Sequence, residues 1–218
     1  MARPRLTRER ELKLSIPAGF SLPELPGEPL EPRTLTSTYF DTPDRALARA
    51  GVTLRRRVEN RRGVWQLKLP GKGERLELES PGGSTAPPAN LADLLVGVLR
   101  GRGLERAAVL RTRRTGIRAH ENGRPVADVT VDRFAVLDGR RVRESFVEVE
   151  VEALDGGADA LPGLGRALED AGATPTDGRP KAFRAMGFFP PDPALPPRWA
   201  PALDHVRIAL ARQVAELP

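Results

Sequence analysis

The chain has 218 residues, enough for one domain or one domain with a short appendage. Two His and no Cys exclude disulfides, a thiolate zinc site, a cysteine nucleophile and an iron–sulfur cluster, so any metal must be held by carboxylates, which favours a hard cation such as Mg²⁺ or Mn²⁺. Lys and Arg number 35 against 29 Asp and Glu, and the net charge of +6 points to an anionic partner without choosing among nucleic acid, a phosphate-rich ligand and a membrane surface.

The basic N-terminus, Met1 to Arg10, has no hydrophobic region after it and does not read as a signal peptide. No apolar run approaches the roughly 18 residues of a transmembrane helix, and the expected location is cytoplasmic. In chain order, the alternation predicts strands at Glu9–Ile16, Thr34–Phe40, Val52–Val58, Val64–Leu69, Arg75–Glu79, Val109–Arg118, Pro125–Phe134 and Ser145–Ala153. Short helices are expected at Asp44–Ala50, Leu91–Arg100 (with Asn90 as N-cap) and Leu161–Ala171, the last closed by Gly172. His120-Glu121-Asn122-Gly123 reads as a hairpin turn with an exposed His. Residues 1–190 are read as one domain, 191–201 as a Pro-rich extended linker, and 202–218 as a helix with Leu203, Val206, Leu210 and Val214 on one stripe. That helix cannot bury its apolar face alone, so it docks back on the domain, pairs with another chain, or begins something longer; oligomeric state stays open.

Side chains at i and i+2 of a strand share a face. Glu9, Glu11 and Lys13 share one, as do Arg55 and Arg57, Gln66 and Lys68, Arg75, Glu77 and Glu79, Arg111 and Arg113, Asp128 and Asp132, and Glu148, Glu150 and Glu152. An antiparallel sheet with one wet face accounts for any one of these strands. As a set, acids fall on the first and last strands and bases on the middle ones. If the sheet closes into a barrel, the charged faces point inward, with Val and Leu facing an outer helical layer. One wall would then hold Glu9, Glu11, Glu148, Glu150 and Glu152, which calls for a divalent cation. The others would hold Lys13, Arg55, Arg57, Lys68, Arg75, Arg111 and Arg113, whose complement is a chain of phosphates. Asp128 and Asp132 are expected to anchor Arg by ion pairs.

Glu9-Arg10-Glu11-Leu12-Lys13 resembles the ExExK signature of the CYTH domain, in the triphosphate tunnel metalloenzyme superfamily. Further elements follow in order: Tyr39-Phe40-Asp41-Thr42, Leu54-Arg55-Arg56-Arg57, Trp65 to Lys68, Arg75–Glu79, Arg111-Thr112-Arg113, Phe146–Glu152 and Arg179-Pro180-Lys181, the last departing from the family's usual Ser before Lys. The resemblance spans about residues 6–190. It implies a mainly-β (α+β) fold, an eight-stranded antiparallel tunnel with a charged interior and short helices packed outside. It also implies a triphosphate bound with Mg²⁺ or Mn²⁺. On this reading Glu9, Glu11, Glu148 and Glu150 bind metal. Lys13, Arg55, Arg57, Lys68, Arg75, Arg111, Arg113 and Lys181 bind phosphates. Lys13, Glu150 and Glu152 are catalytic, and Tyr39, Asp41, Glu77, Glu79, Asp128 and Asp132 support them. Asp41 has an equal structural reading, capping the helix after it. The segment Trp199–Leu217 resembles the opening of a CHAD domain, a helical module associated with polyphosphate. The expected activity is metal-dependent hydrolysis of a triphosphate, inorganic triphosphate first. Thiamine triphosphatase and adenylate cyclase are alternatives in the same tunnel. A non-catalytic polyphosphate-binding module is the alternative outside enzymology. Aromatics for base stacking are scarce, so a nucleic-acid partner is not expected.

Overall fold

The computed structural model describes residues 4–70, 75–176 and 179–189. The linker and tail helix expected at 191–218 lie outside the described residues. Ten strands and five short α-helices are described: β1 (Arg5–Glu9), β2 (Glu11–Ser15), β3 (Gly27–Asp41), α1 (Ala46–Arg49), β4 (Thr53–Glu59), β5 (Arg62–Pro70), β6 (Arg75–Pro81), α2 (Ala89–Ala92), α3 (Val96–Leu99), β7 (Glu105–Glu121), β8 (Arg124–Asp138), β9 (Arg141–Ala153), α4 (Leu161–Asp170), β10 (Thr174–Pro175) and α5 (Lys181–Met186). The fold is mainly β, as the alternation predicted. The chain divides into two compact units, and β3 lends residues 27–36 to the second unit and 37–41 to the first.

In the first unit the hydrogen-bonded order is β1-β6-β5-β4-β3. β5 alternates strictly. Trp65, Leu67 and Leu69 join Leu54 and Leu78 in a core closed by Leu47, Leu91 and Leu95 from the short helical segments, while Gln66 and Lys68 take the other face. Each fully buried Leu there contributes roughly 1.5–3 kcal/mol. The Trp65 indole N–H, fully buried, donates to the Gly83 carbonyl at 2.8 Å. The buried Asp41 carboxylate accepts from the amides of Leu47 (2.9 Å) and Ala48 (3.0 Å), satisfying N–H groups of α1 that a helix leaves without partners.

In the second unit the order is β3-β7-β8-β9-β2-β10. Leu14 lies opposite Val149, and Val149 and Val151 lie opposite Val131 and Val129. These residues form a core with Leu161, Leu164 and Leu168 of α4. Gly172 (φ 100°) ends that helix as expected, the Ala173 N–H donating to Leu168 O at 3.0 Å. Asn122 and Gly123, both at positive φ, turn β7 into β8. Gly116 of β7 permits a close approach: a Cβ there would stand 2.1 Å from the Val129 carbonyl oxygen of β8.

The strand count is ten rather than the expected eight. The predicted N-terminal strand breaks at Arg10, whose carbonyl accepts from Ala153 N at 2.9 Å; β1 is a neighbour of β6, and β2 pairs with β9. The two-residue β10, set against Leu14 and Ser15, is too short to leave a pattern. The helix expected over Leu91–Arg100 is α2, a 3₁₀ turn and α3. Pro88, not Asn90, precedes it, and Asn90 instead donates to Ser80 Oγ at 3.1 Å.

Candidate functional site

Each unit keeps one charged sheet face. In the first unit it is built on β4, β5 and β6, where Arg55 lies opposite Gln66, Gln66 opposite Glu79, and Lys68 opposite Glu77. Gln66 is fully buried and is the hub. Its Oε1 accepts from Arg55 Nε at 2.7 Å, and its Nε2 donates to Glu77 Oε1 at 2.5 Å and to Glu79 Oε1. Arg55 also donates to the Tyr39 hydroxyl at 3.2 Å. Lys68 Nζ stands 2.8 Å from Glu77 Oε2, and Arg57 Nη2 is 3.4 Å from Glu79 Oε1. Burial, with the neighbouring Arg55 charge, pulls the Arg57 guanidinium below its ordinary pKa. This face therefore holds cations close together on a carboxylate and amide scaffold. Arg75 shares the face of Glu77 and Glu79 on β6, and Lys181 opens α5, half-buried.

In the second unit the charged face is a ladder across β2, β9, β8 and β7. Glu11 lies opposite Glu152, Lys13 opposite Glu150, Asp132 opposite Glu148, and Asp128 opposite Glu152. Lys13 Nζ is 3.0 Å from Glu11 Oε1 and 3.8 Å from Glu150 Oε1. Arg114 grips the fully buried Asp132 with two hydrogen bonds, 2.7 and 2.6 Å, and reaches Glu150 Oε2 at 2.9 Å. Arg118 makes the equivalent pair with Asp128, at 2.8 and 3.1 Å. Burial alone would lower Arg114's pKa. The Asp132 hydrogen bonds and the charges of Asp132, Glu150 and Glu152 outweigh it and hold the guanidinium above its ordinary value. Asp132 and Asp128 thus each pair with one Arg, Arg114 and Arg118 respectively.

Three expectations change. Arg111 and Arg113 are exposed on the face of β7 opposite Arg114 and Arg118, so the ladder's guanidinium groups come from residues the sequence reading passed over. The signal was present: Arg114 and Arg118 are four apart, as are Asp128 and Asp132. Second, Glu9, Glu11, Glu148 and Glu150 do not form a ready ligand set. Among the described residues no three His, Asp or Glu side chains converge to hold a metal ion. Glu9 ends β1, before the break at Arg10, and Lys13 lies between Glu11 and Glu150. Third, Gln66, which the alternation gives only as a neighbour of Lys68 on one face, is the buried hub of the first unit's polar network.

The donor chemistry of the ladder still suits a hard divalent cation. Its acidic groups are carboxylates alone, and Mg²⁺ is ordinarily held by one or two carboxylates, its other ligands being water and substrate phosphate. Glu11, Glu148 and Glu150 are the residues that would hold it.

These features define a mainly-β antiparallel protein whose two units each reserve one sheet face for paired acids and bases. The sequence profile of the CYTH domain matches residues 7–174. The chain belongs to the CYTH domain family. Two uncharacterized Mycobacterium tuberculosis proteins, MT2285 of strain CDC 1551 and Rv2226 of strain H37Rv, are each 32% identical to it over 202 residues, covering 84% of this chain and 39% of theirs. The chain thus spans about two-fifths of the length of these curated relatives. Among solved structures, a Bacillus halodurans protein provisionally assigned as an adenylate cyclase superposes with a TM-score of 0.61 at 17% identity, covering 82% of this chain and 97% of that one. The PH1819 protein of Pyrococcus horikoshii gives 0.50 at 18% identity, covering 81% and 95%. At such identities the likeness is one of fold.

Proposed function

We propose that this chain hydrolyses a triphosphate with the help of a divalent cation, Mg²⁺ or Mn²⁺, and that inorganic triphosphate is the preferred substrate. The observation that carries the reading is the buried Lys13–Glu150–Arg114–Asp132 network, a set of fixed charges of both signs on a sheet face. Its roles follow from charge. Glu11, Glu148 and Glu150 are the residues that would hold the cation. When bound, the cation neutralises phosphoryl oxygens and lowers the pKa of coordinated water. In the second unit Arg114 would bind phosphoryl oxygens, and on the first unit's own charged face Arg55, Arg57, Lys68, Arg75 and Lys181 are the cations suited to phosphoryl oxygens. Arg114 is oriented for this by Asp132, which leaves it little freedom to lose on binding. Lys13 places a further positive charge beside Glu11 and Glu150. Glu152 accepts a proton from the attacking water. The water oxygen bonds to the terminal phosphorus, the anhydride P–O bond breaks, and orthophosphate and pyrophosphate leave with release of a proton.

A small triphosphate is favoured over a nucleotide by the placement of the aromatics. Trp65 lies in the hydrophobic core and Tyr39 is buried beneath Arg55, so among the described residues neither offers a face for a base. Among the described residues no helix is long and apolar enough to cross a membrane. The proposed partner is a small anion rather than nucleic acid.

Phosphate release from inorganic triphosphate, thiamine triphosphate and ATP, with Mg²⁺, Mn²⁺ or EDTA, tests the reading. Expected is metal-dependent release, fastest with inorganic triphosphate and lost in Glu11→Ala. Cyclic AMP formation from ATP would instead establish the cyclase branch. Tight phosphate-chain binding without release would establish a binding module.

A further inference from the structure

We infer that the second unit carries a separate oxyanion-binding groove, on the face of its sheet opposite the carboxylate ladder, formed by Arg111, Arg113 and Arg133 and suited to a short condensed phosphate. A cavity of about 440 Å³ lies there, lined by these three residues with Thr34, Ser145 and Phe146. All three arginines are exposed. The twin ion pairs Arg114–Asp132 and Arg118–Asp128 set the register of β7 against β8, and that register puts Arg113 directly across from Arg133. Like charges directly opposite on neighbouring strands destabilise a sheet.

The contrast with the ladder is sharp. There Arg114 and Arg118 each hold an aspartate bidentately. In the groove, among the described residues, none of the three guanidinium groups has an ion-pair or hydrogen-bond partner. The same sheet face is apolar beneath α4, where Val129, Val131, Val149 and Val151 pack with Leu161 and Leu168. It becomes basic at Arg133, and Ser145 and Thr34 add hydroxyls to the lining. Three forked donors and two hydroxyls without a carboxylate match the oxygens of linked phosphoryl groups. The cavity falls in the roughly 300–1,000 Å³ range of small-ligand sites and is too confined for the roughly 800 Å² per partner of a stable protein interface. Phe134 lines the cavity as Phe146 does, but at 2% and 7% exposure neither offers a ring face for stacked bases.

The groove uses no residue of the ladder, so it stands apart from the hydrolysis reading. The test is calorimetric titration of the full chain with inorganic tripolyphosphate in EDTA. The wild type is expected to show one more bound equivalent than Arg111→Ser/Arg113→Ser/Arg133→Ser, whose Tm is not lowered, since the side chains are exposed and the Arg113–Arg133 repulsion is removed. The single Arg133→Gln variant should weaken that equivalent by about tenfold, the loss of one or two charge-assisted hydrogen bonds. Loss of one equivalent is read whether or not the protein turns over substrate. Equal stoichiometry and affinity in wild type and triple variant would overturn the proposal. So would tighter binding of a poly-glutamate peptide or oligothymidylate than of tripolyphosphate at this groove.

Discussion

Replacing Asp132 by Asn removes the charge that fixes Arg114 while keeping the side chain's shape. Asp132 is fully buried and the Arg114 side chain is 16% exposed, so water can replace little of what is lost. Removing one partner of a buried pair costs about 3–5 kcal/mol, because the other charge stays uncompensated. Asn keeps one acceptor oxygen, and Glu150 still holds Arg114 at 2.9 Å, which places Asp132→Asn at the low end, about 3 kcal/mol. Equilibrium urea unfolding measures it as a lower midpoint at unchanged slope. The pH dependence is also fixed. Arg114's pKa is raised in the fold, so its contribution is complete below the unfolded value and is lost only as pH rises through the folded one. Both lie above ordinary assay conditions, so Arg114 adds no slope to the loss between about pH 6 and 9. The double variant Arg114→Met/Asp132→Leu should lose clearly less than the sum of its single changes. A loss below about 1 kcal/mol for Asp132→Asn would refute the picture of a buried, charge-balanced ladder.

Arg57→Gln should act in opposite directions on stability and binding. It relieves the burial and Arg55 repulsion that depress Arg57's pKa, so the ligand-free protein gains up to about 1 kcal/mol in urea, while tripolyphosphate binding weakens about tenfold. Asp41→Ala removes the acceptor for the Leu47 and Ala48 amides and should cost about 2 kcal/mol in thermal unfolding while leaving kcat for tripolyphosphate unchanged; a selective loss of kcat in a stable variant would return Asp41 to the site. Gly116→Ala drives a Cβ into the Val129 carbonyl and should destabilise by about 1–3 kcal/mol, read by urea midpoint.

Much of this site was legible as alternation. Glu148, Glu150 and Glu152 on β9, and Arg55 with Arg57 on β4, share faces as period two requires. The run Arg111-Thr112-Arg113-Arg114 shows where that signal ends. It carries Arg on both faces, so the period alone does not choose the phase, and the partners Asp132 and Asp128 decide it. The break at Arg10 was hidden for a related reason. Glu9 and Glu11 keep their alternation on either side of it, but the strand changes neighbours there, and partner choice is a tertiary property. Pro29 and Pro32 concealed the first half of β3, where the chain stays extended in spite of them. Gln66, uncharged, gave no sign that three charged side chains converge on it.

The central claim is that the carboxylate ladder supports hydrolysis of a triphosphate. Phosphorus NMR of inorganic triphosphate incubated with the protein and Mg²⁺ tests it most directly, comparing wild type with Glu150→Gln. Orthophosphate and pyrophosphate appearing in equal amounts with the wild type, and neither with a Glu150→Gln protein of comparable Tm, is the predicted result. Turnover undiminished by Glu150→Gln, or no turnover by the wild type with either Mg²⁺ or Mn²⁺, would contradict it.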